Sequence, residues 1–164
     1  MSEKTLEERV QELEDIRAIE KLQLCYWDYM DSKNWDEYRK LFADDFRFIN
    51  TAIDDNTQSD AEAFVQSIKD LFENPAITSS HHGHQHYIEI TGPTTAIARW
   101  ALEDNLYNAE TGSEFLGRGY YDNKYIKIDG EWKCQEMYLT YLRGRAETKK
   151  RTNDVGAAIR VFQM

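Results

Sequence analysis

The stretch TTAIARWALEDNLYN, residues 94–108, decides how the chain folds. Read with a period of two, Ala98, Trp100, Leu102, Asp104 and Leu106 share one face, and Arg99, Ala101, Glu103 and Asn105 share the other, the pattern of a half-buried β-strand. One carboxylate, Asp104, therefore stands in an apolar row. Desolvation there disfavours the ionised form and lets the group carry a proton near neutrality, which suits a general acid. A strand end open to water, or a bulge that reverses the facing, would instead leave an ordinary exposed aspartate.

The same alternation extends on both sides, through HYIEI (86–90), FLGRGYYDNKYIKI (115–128) and EWKCQEMYLTYL (131–142). Turns are expected at Gly92-Pro93, at AETGS (109–113) and at Asp129-Gly130, the last a strong hairpin signal. Upstream the period is helical. Thr5-x-x-Glu8 is a capping box, and Leu6, Val10, Leu13, Ile16, Ile19, Leu22, Tyr26 and Met30 follow at three- and four-residue steps. A short helix capped by Asn34 is predicted to turn Trp35, Tyr38, Leu41 and Phe42 inward, followed by a strand at ADDFRFIN (43–50). Ser59-x-x-Glu62 is predicted to cap a third helix with Phe64, Val65, Ile68, Leu71 and Phe72 inward, ending at Asn74-Pro75. Helices first and long strands afterwards predict one α+β domain over residues 1–164, its helices covering one face of a curved antiparallel sheet.

Composition narrows the partners. Thirty acidic against twenty basic residues, a formal charge of −10, set a field that repels nucleic acid and anionic lipid. The first residues lack an apolar signal region and no apolar run reaches bilayer length, so a cytoplasmic protein is expected, without a membrane partner. Cys25 and Cys134 lack CxxC spacing and read as reduced packing residues.

All four histidines fall in HHGHQH, residues 81–86. Alternation would place His82, His84 and His86 on one side as a metal comb near Glu89, but the chain has no distant histidine to complete such a site, and no metal is predicted. Strand histidines that are simply exposed or hydrogen-bonded account for most of the four. One of them as a general base needs a carboxylate partner. Asp31 is a candidate, because it ends the long helix, where the dipole disfavours an anion; it would otherwise only open the turn before Asn34. Simple alternation puts His84 on the side of Ile88 and Ile90, opposite His81, unless Gly83 re-aims the chain.

In order and content these motifs resemble the SnoaL-like part of the nuclear-transport-factor-2-like superfamily, a cone-shaped α+β fold, and within it the bacterial bile-acid dehydratases. The resemblance rests on LEERV and AIEKL, Tyr26, Asp31 with WDE, HHGH, TTAIARWALEDNL and YDNKYIKIDGEW, and leaves out FINTAIDDNTQSD (48–60) and the tail beyond Arg143. It implies catalytic roles for Tyr26, Asp31, His81 and Asp104. A His-Asp pair matching His81 and Asp31 also occurs in the more distantly similar scytalone dehydratases and hexachlorocyclohexane dehydrochlorinases. The resemblance further implies cofactor-free elimination and a homotrimer. With those roles, a hydrophobic cyclic ketone is the expected substrate and dehydration the expected reaction; isomerisation or cyclisation, or binding without catalysis, are the alternatives. Trp27, Trp35, His84, Trp100, Tyr107 and Tyr121 are candidate pocket walls, although aromatic residues in such numbers commonly serve as core.

Overall fold

The computed structural model describes residues 3–50, 57–58 and 60–148. Helix α1, Leu6–Asp31, begins with the expected capping box: the Glu8 amide donates to Thr5 Oγ1 at 3.2 Å, and the Thr5 amide donates to the Glu8 carboxylate at 2.7 Å. Its stripe is buried only along the second half, where Ile19, Leu22, Gln23, Tyr26, Trp27 and Met30 face the sheet. Leu6 and Leu13 remain exposed, because the first turns of the helix project past the packed layer. Asp15 marks the boundary between the two halves, accepting hydrogen bonds from Lys127 Nζ at 2.5 Å and Trp132 Nε1 at 3.0 Å.

Helix α2, Trp35–Arg39, starts after Asn34 without a side-chain cap bond. Strand β1, Phe42–Asn50, pairs with the two-residue β2, Thr57–Gln58. Helix α3, Ala61–Phe72, is capped by Asp60, whose Oδ1 accepts from the Ala63 amide at 2.7 Å. The cap thus falls one residue later than the Ser59 box predicts, and Ser59 itself lies outside the described residues. Strands β3 (Ile77–Gly92), β4 (Thr95–Asn108), β5 (Ser113–Ile128) and β6 (Glu131–Thr148) form an antiparallel meander with turns where the sequence places them. The sheet order is β2-β1-β6-β5-β4-β3, and β1 lies parallel to β6. The sheet is therefore mixed, a curved and unclosed cone wall with the helices on its inner face. Among the described residues no helix is long and apolar enough to cross a membrane, and Cys25 and Cys134 are free thiols.

Helix α1 and the sheet meet closely at Gly83. A Cβ built there would lie 1.8 Å from Cη2 of Trp27, whose ring in turn meets Trp100 edge-on at 5.9 Å. Any side chain at this position must displace the indole. Overpacking of this kind costs about 1–3 kcal/mol, so Gly83→Ala is expected to lower the urea midpoint of unfolding correspondingly at unchanged slope.

Candidate active site

The alternation that opens β4 continues into the structure: Ala96, Ala98, Trp100, Leu102 and Asp104 are all buried on the inner face, Asp104 at 1% exposure. Strand β3 delivers its histidine to the same face by a break in pairing. His81 stands opposite Asp104 and Gly83 opposite Leu102, but the next pair is His86 with Trp100, so His84 and Gln85 together face one residue of β4. This bulge reverses the parity of the strand. His81, Gly83, His86 and Ile88 consequently share the inner side, and His84 is left exposed in the bulge. Simple alternation fails here for that reason, and the re-aiming falls at His84-Gln85, just after Gly83, which itself keeps the regular register.

The end of α1 is fixed against β3 by Lys33, which adopts φ 58° and donates from Nζ to the carbonyls of Asn74 (3.1 Å) and Ile77 (2.9 Å). Asp31 thereby reaches three donors on β3: Ser79 Oγ at 2.7 Å, the His81 amide at 2.8 Å and His81 Nδ1 at 2.6 Å. Burial alone would raise the pKa of Asp31, but these bonds from His81 and Ser79 outweigh it and hold the carboxyl below its ordinary value. An ionised Asp31 accepts only, so the proton of the neutral imidazole sits on Nδ1 and the lone pair on Nε2. Nε2 faces Asp104 Oδ1 across 3.9 Å.

Asp104 is the reverse case. Desolvation pushes its pKa up, aided by the negative charge of Asp31 and opposed by His81, by the hydrogen bond from Tyr141 and by His82. Tyr141 Oη donates to Oδ2 at 2.5 Å, while Oδ1 is buried without a hydrogen-bond partner. Tyr26 completes the group from α1, its ring against Tyr121 at 5.7 Å and Tyr38 at 5.4 Å, and burial keeps its phenol protonated far above the ordinary range.

These groups open on one cavity of about 320 Å³, with apolar walls from Met30, Phe48, Ile68, Phe72, Leu106 and Leu139. Tyr26, His81, Asp104 and Tyr121 line it; Asp31 stands behind His81. The other candidate walls do not reach it. Trp27 and Trp100 pack against each other in the core, Trp35 packs on Tyr38 at 6.0 Å, Tyr107 falls on the outer parity of β4, and His84 is exposed in the bulge. The histidine comb is likewise dispersed: His82 pairs with Ser80 at 2.7 Å, and His86 stacks on Trp100 at 4.5 Å beside Glu20. Among the described residues no three His, Cys, Asp or Glu side chains converge as a metal group. Sequence reasoning misses Tyr141 and Ser79. Tyr141 carries the signal that singles out Asp104, a polar group in line with Met137 and Leu139, but without the neighbouring strand it reads as another aromatic core residue.

The sequence matches the SnoaL-like domain over residues 11–138. The chain belongs to the SnoaL-like family. Similar solved structures include a proposed scytalone dehydratase from Novosphingobium aromaticivorans, with 20% identity, 88% of this chain and 95% of that one covered, and a TM-score of 0.76. A hexachlorocyclohexane dehydrochlorinase of type 2 aligns at 16% identity, 90% and 99% coverage, and a TM-score of 0.78. The type 3 enzyme from Novosphingobium barchaimii LL02 aligns at 15%, 85% and 94%, and 0.75. At these identities the likeness is one of fold.

Proposed function

We propose that this SnoaL-like protein is a cofactor-independent hydro-lyase that removes water beside the carbonyl of a hydrophobic cyclic ketone, steroid-like or polyketide-like. One observation carries the reading: an imidazole held by Asp31 and an unpartnered carboxyl oxygen of Asp104 face each other across 3.9 Å in an apolar cavity. His81 Nε2 takes the proton from the carbon beside the carbonyl, and the C–H electrons pass into the enolate. Tyr26, a neutral phenol, donates to the enolate oxygen. As the enolate collapses to the new double bond, the β-hydroxyl takes the proton of Asp104 and leaves as water. Return of the imidazolium proton to Asp104 restores both groups. Base and acid project from neighbouring strands of one sheet face, so the two are expected to act on the same face of the substrate, a syn elimination. Among the described lining residues there is no lysine or arginine, which favours an uncharged substrate.

The test is product analysis with β-hydroxy cyclic ketones. An unsaturated ketone and one water per turnover support dehydration. A product of unchanged mass with a migrated double bond or closed ring indicates the isomerase or cyclase that the same proton abstraction would allow. Binding without turnover indicates a carrier.

A homotrimer, the usual family assembly, is the expected solution state. The outer sheet face leaves Tyr87, Ile97, Leu116 and Tyr138 exposed, a patch that assembly would cover. Light scattering at micromolar concentration is expected to give three times the 19.3 kDa chain mass; a strict monomer would leave the patch without an explanation. Its partners are then a small hydrophobic molecule and its own copies, in the cytoplasm.

A further inference from the structure

The carboxyl of Asp104 has two inequivalent oxygens, and the inequivalence is built by β5 and β6. Strand β6 bulges at Leu142: Gly117 pairs with Gly144 and Arg118 with Arg143, but Gly119 pairs with Tyr141. Tyr141 keeps the regular alternation of Met137 and Leu139 and so stands in the cavity row, and the extra residue beyond it places Gly144 instead of Arg143 opposite Gly117. Space for the ring is cleared by Gly117, the β5 partner of Asp104; a Cβ there would meet Cε1 of Tyr141 at 2.5 Å and Cε1 of Phe115 at 2.8 Å. Phe115 then holds the phenol edge-on, ring centroids 5.6 Å apart. The result is a hydroxyl seated on Oδ2 at 2.5 Å, with Oδ1 left bare toward His81.

We propose that Tyr141 is a positioning residue that, by donating to Oδ2, confines the transferable proton of Asp104 to Oδ1, the oxygen that faces His81 and the substrate. The inference rests on the acid role proposed above for Asp104. A carboxylic acid carries one hydroxyl, and an oxygen already accepting from a phenol is the poorer place for it. Tyr141 remains a donor, since burial and the neighbouring Asp104 hold its phenol protonated far above the ordinary range. The titratable groups that act on Asp104 are His81 and, from the outer face, His82 of β3, Asp31 and Tyr26 from α1, Tyr121 from β5 and Tyr141 from β6; of these Tyr141 alone donates a hydrogen bond to the carboxyl.

The test needs no substrate. A carbon-detected NMR titration follows the Asp104 carboxyl in the wild type, in Tyr141→Phe and in protein carrying 3-fluorotyrosine at 141. The bond favours the ionised form, so Tyr141→Phe is expected to strengthen proton binding at Asp104 about tenfold. The fluorinated phenol, a stronger donor, is expected to shift the midpoint in the opposite direction. Gly117→Ala, which displaces the ring, is expected to resemble Tyr141→Phe. Identical midpoints in the wild type and in a folded Tyr141→Phe would overturn the proposal, whether or not the protein proves to be a dehydratase. If Tyr141→Phe fails to fold, the direction of the fluorotyrosine shift decides alone. With a substrate in hand, kcat is expected to fall in Tyr141→Phe and its alkaline limb to move to higher pH; a purely structural role would leave that limb in place.

Discussion

Replacing His81 by Ala, or Asp31 by Asn, is expected to lower kcat by about two to four orders of magnitude each, and the double variant is expected to lose little more than either alone. On the proposed mechanism the two act as a unit: Asp31 fixes the proton on Nδ1 and so presents the Nε2 lone pair, and without either member no oriented base remains. Asn at position 31 keeps the shape of the side chain and can still accept from Ser79 or the His81 amide, so the fold should survive. It loses the charge that stabilises the imidazolium formed on proton abstraction. Steady-state kinetics on the double-mutant cycle checks this; additive losses would mean that the residues act separately. His84→Ala is the control and should be nearly silent, because the bulge leaves that ring exposed.

Asp104→Asn is expected to cost kcat about two to four orders of magnitude, since the amide fills the same space but has no proton to give. It should also stabilise the protein at neutral pH. Burial raises the pKa of Asp104 in the folded state, so between the unfolded and folded values the native protein binds the proton more tightly than the unfolded chain does. That contribution is complete below the unfolded value and is lost as pH rises through the folded one, leaving a buried carboxylate that opposes folding. The variant removes this opposition, so wild-type stability relative to Asp104→Asn should fall from acid toward neutral pH. Urea unfolding at several pH values measures it, and parallel pH profiles would indicate an exposed, ordinary aspartate. Gain of stability with loss of turnover is the mark of a group kept for chemistry.

Much of this was legible before the structure. Period and capping placed the helices and the four-strand meander, because alternation in β4 and β5 runs long enough to be unambiguous. The direction of β1 was not legible, since alternation carries no strand polarity, and its parallel seat beside β6 is set by pairing with a residue run almost a hundred positions away. Asp104 could be found in one strand's pattern. Asp31 and His81 could be suspected, but their contact depends on Lys33 spanning the turn and on a bulge that only paired strands reveal. The tryptophans misled for a related reason: Trp27 and Trp100 have the size and chemistry of pocket walls, yet the space left by Gly83 admits the Trp27 indole against β3, edge-on to Trp100, and both are core. Tyr141 was hidden because its row along β6 reads as core until the sheet brings Asp104 to its hydroxyl.

The proposed division of labour between His81 and Asp104 is open to one direct measurement: deuterium exchange, in heavy water, at the carbon beside the carbonyl of a fused-ring ketone that lacks the leaving hydroxyl. Proton abstraction can then be seen without elimination. Wild-type protein and Asp104→Asn are both expected to wash deuterium into the ketone, while His81→Ala and Asp31→Asn are expected not to. Exchange that persists without His81, or that vanishes with Asp104 while His81 is intact, would contradict the assignment of base and acid.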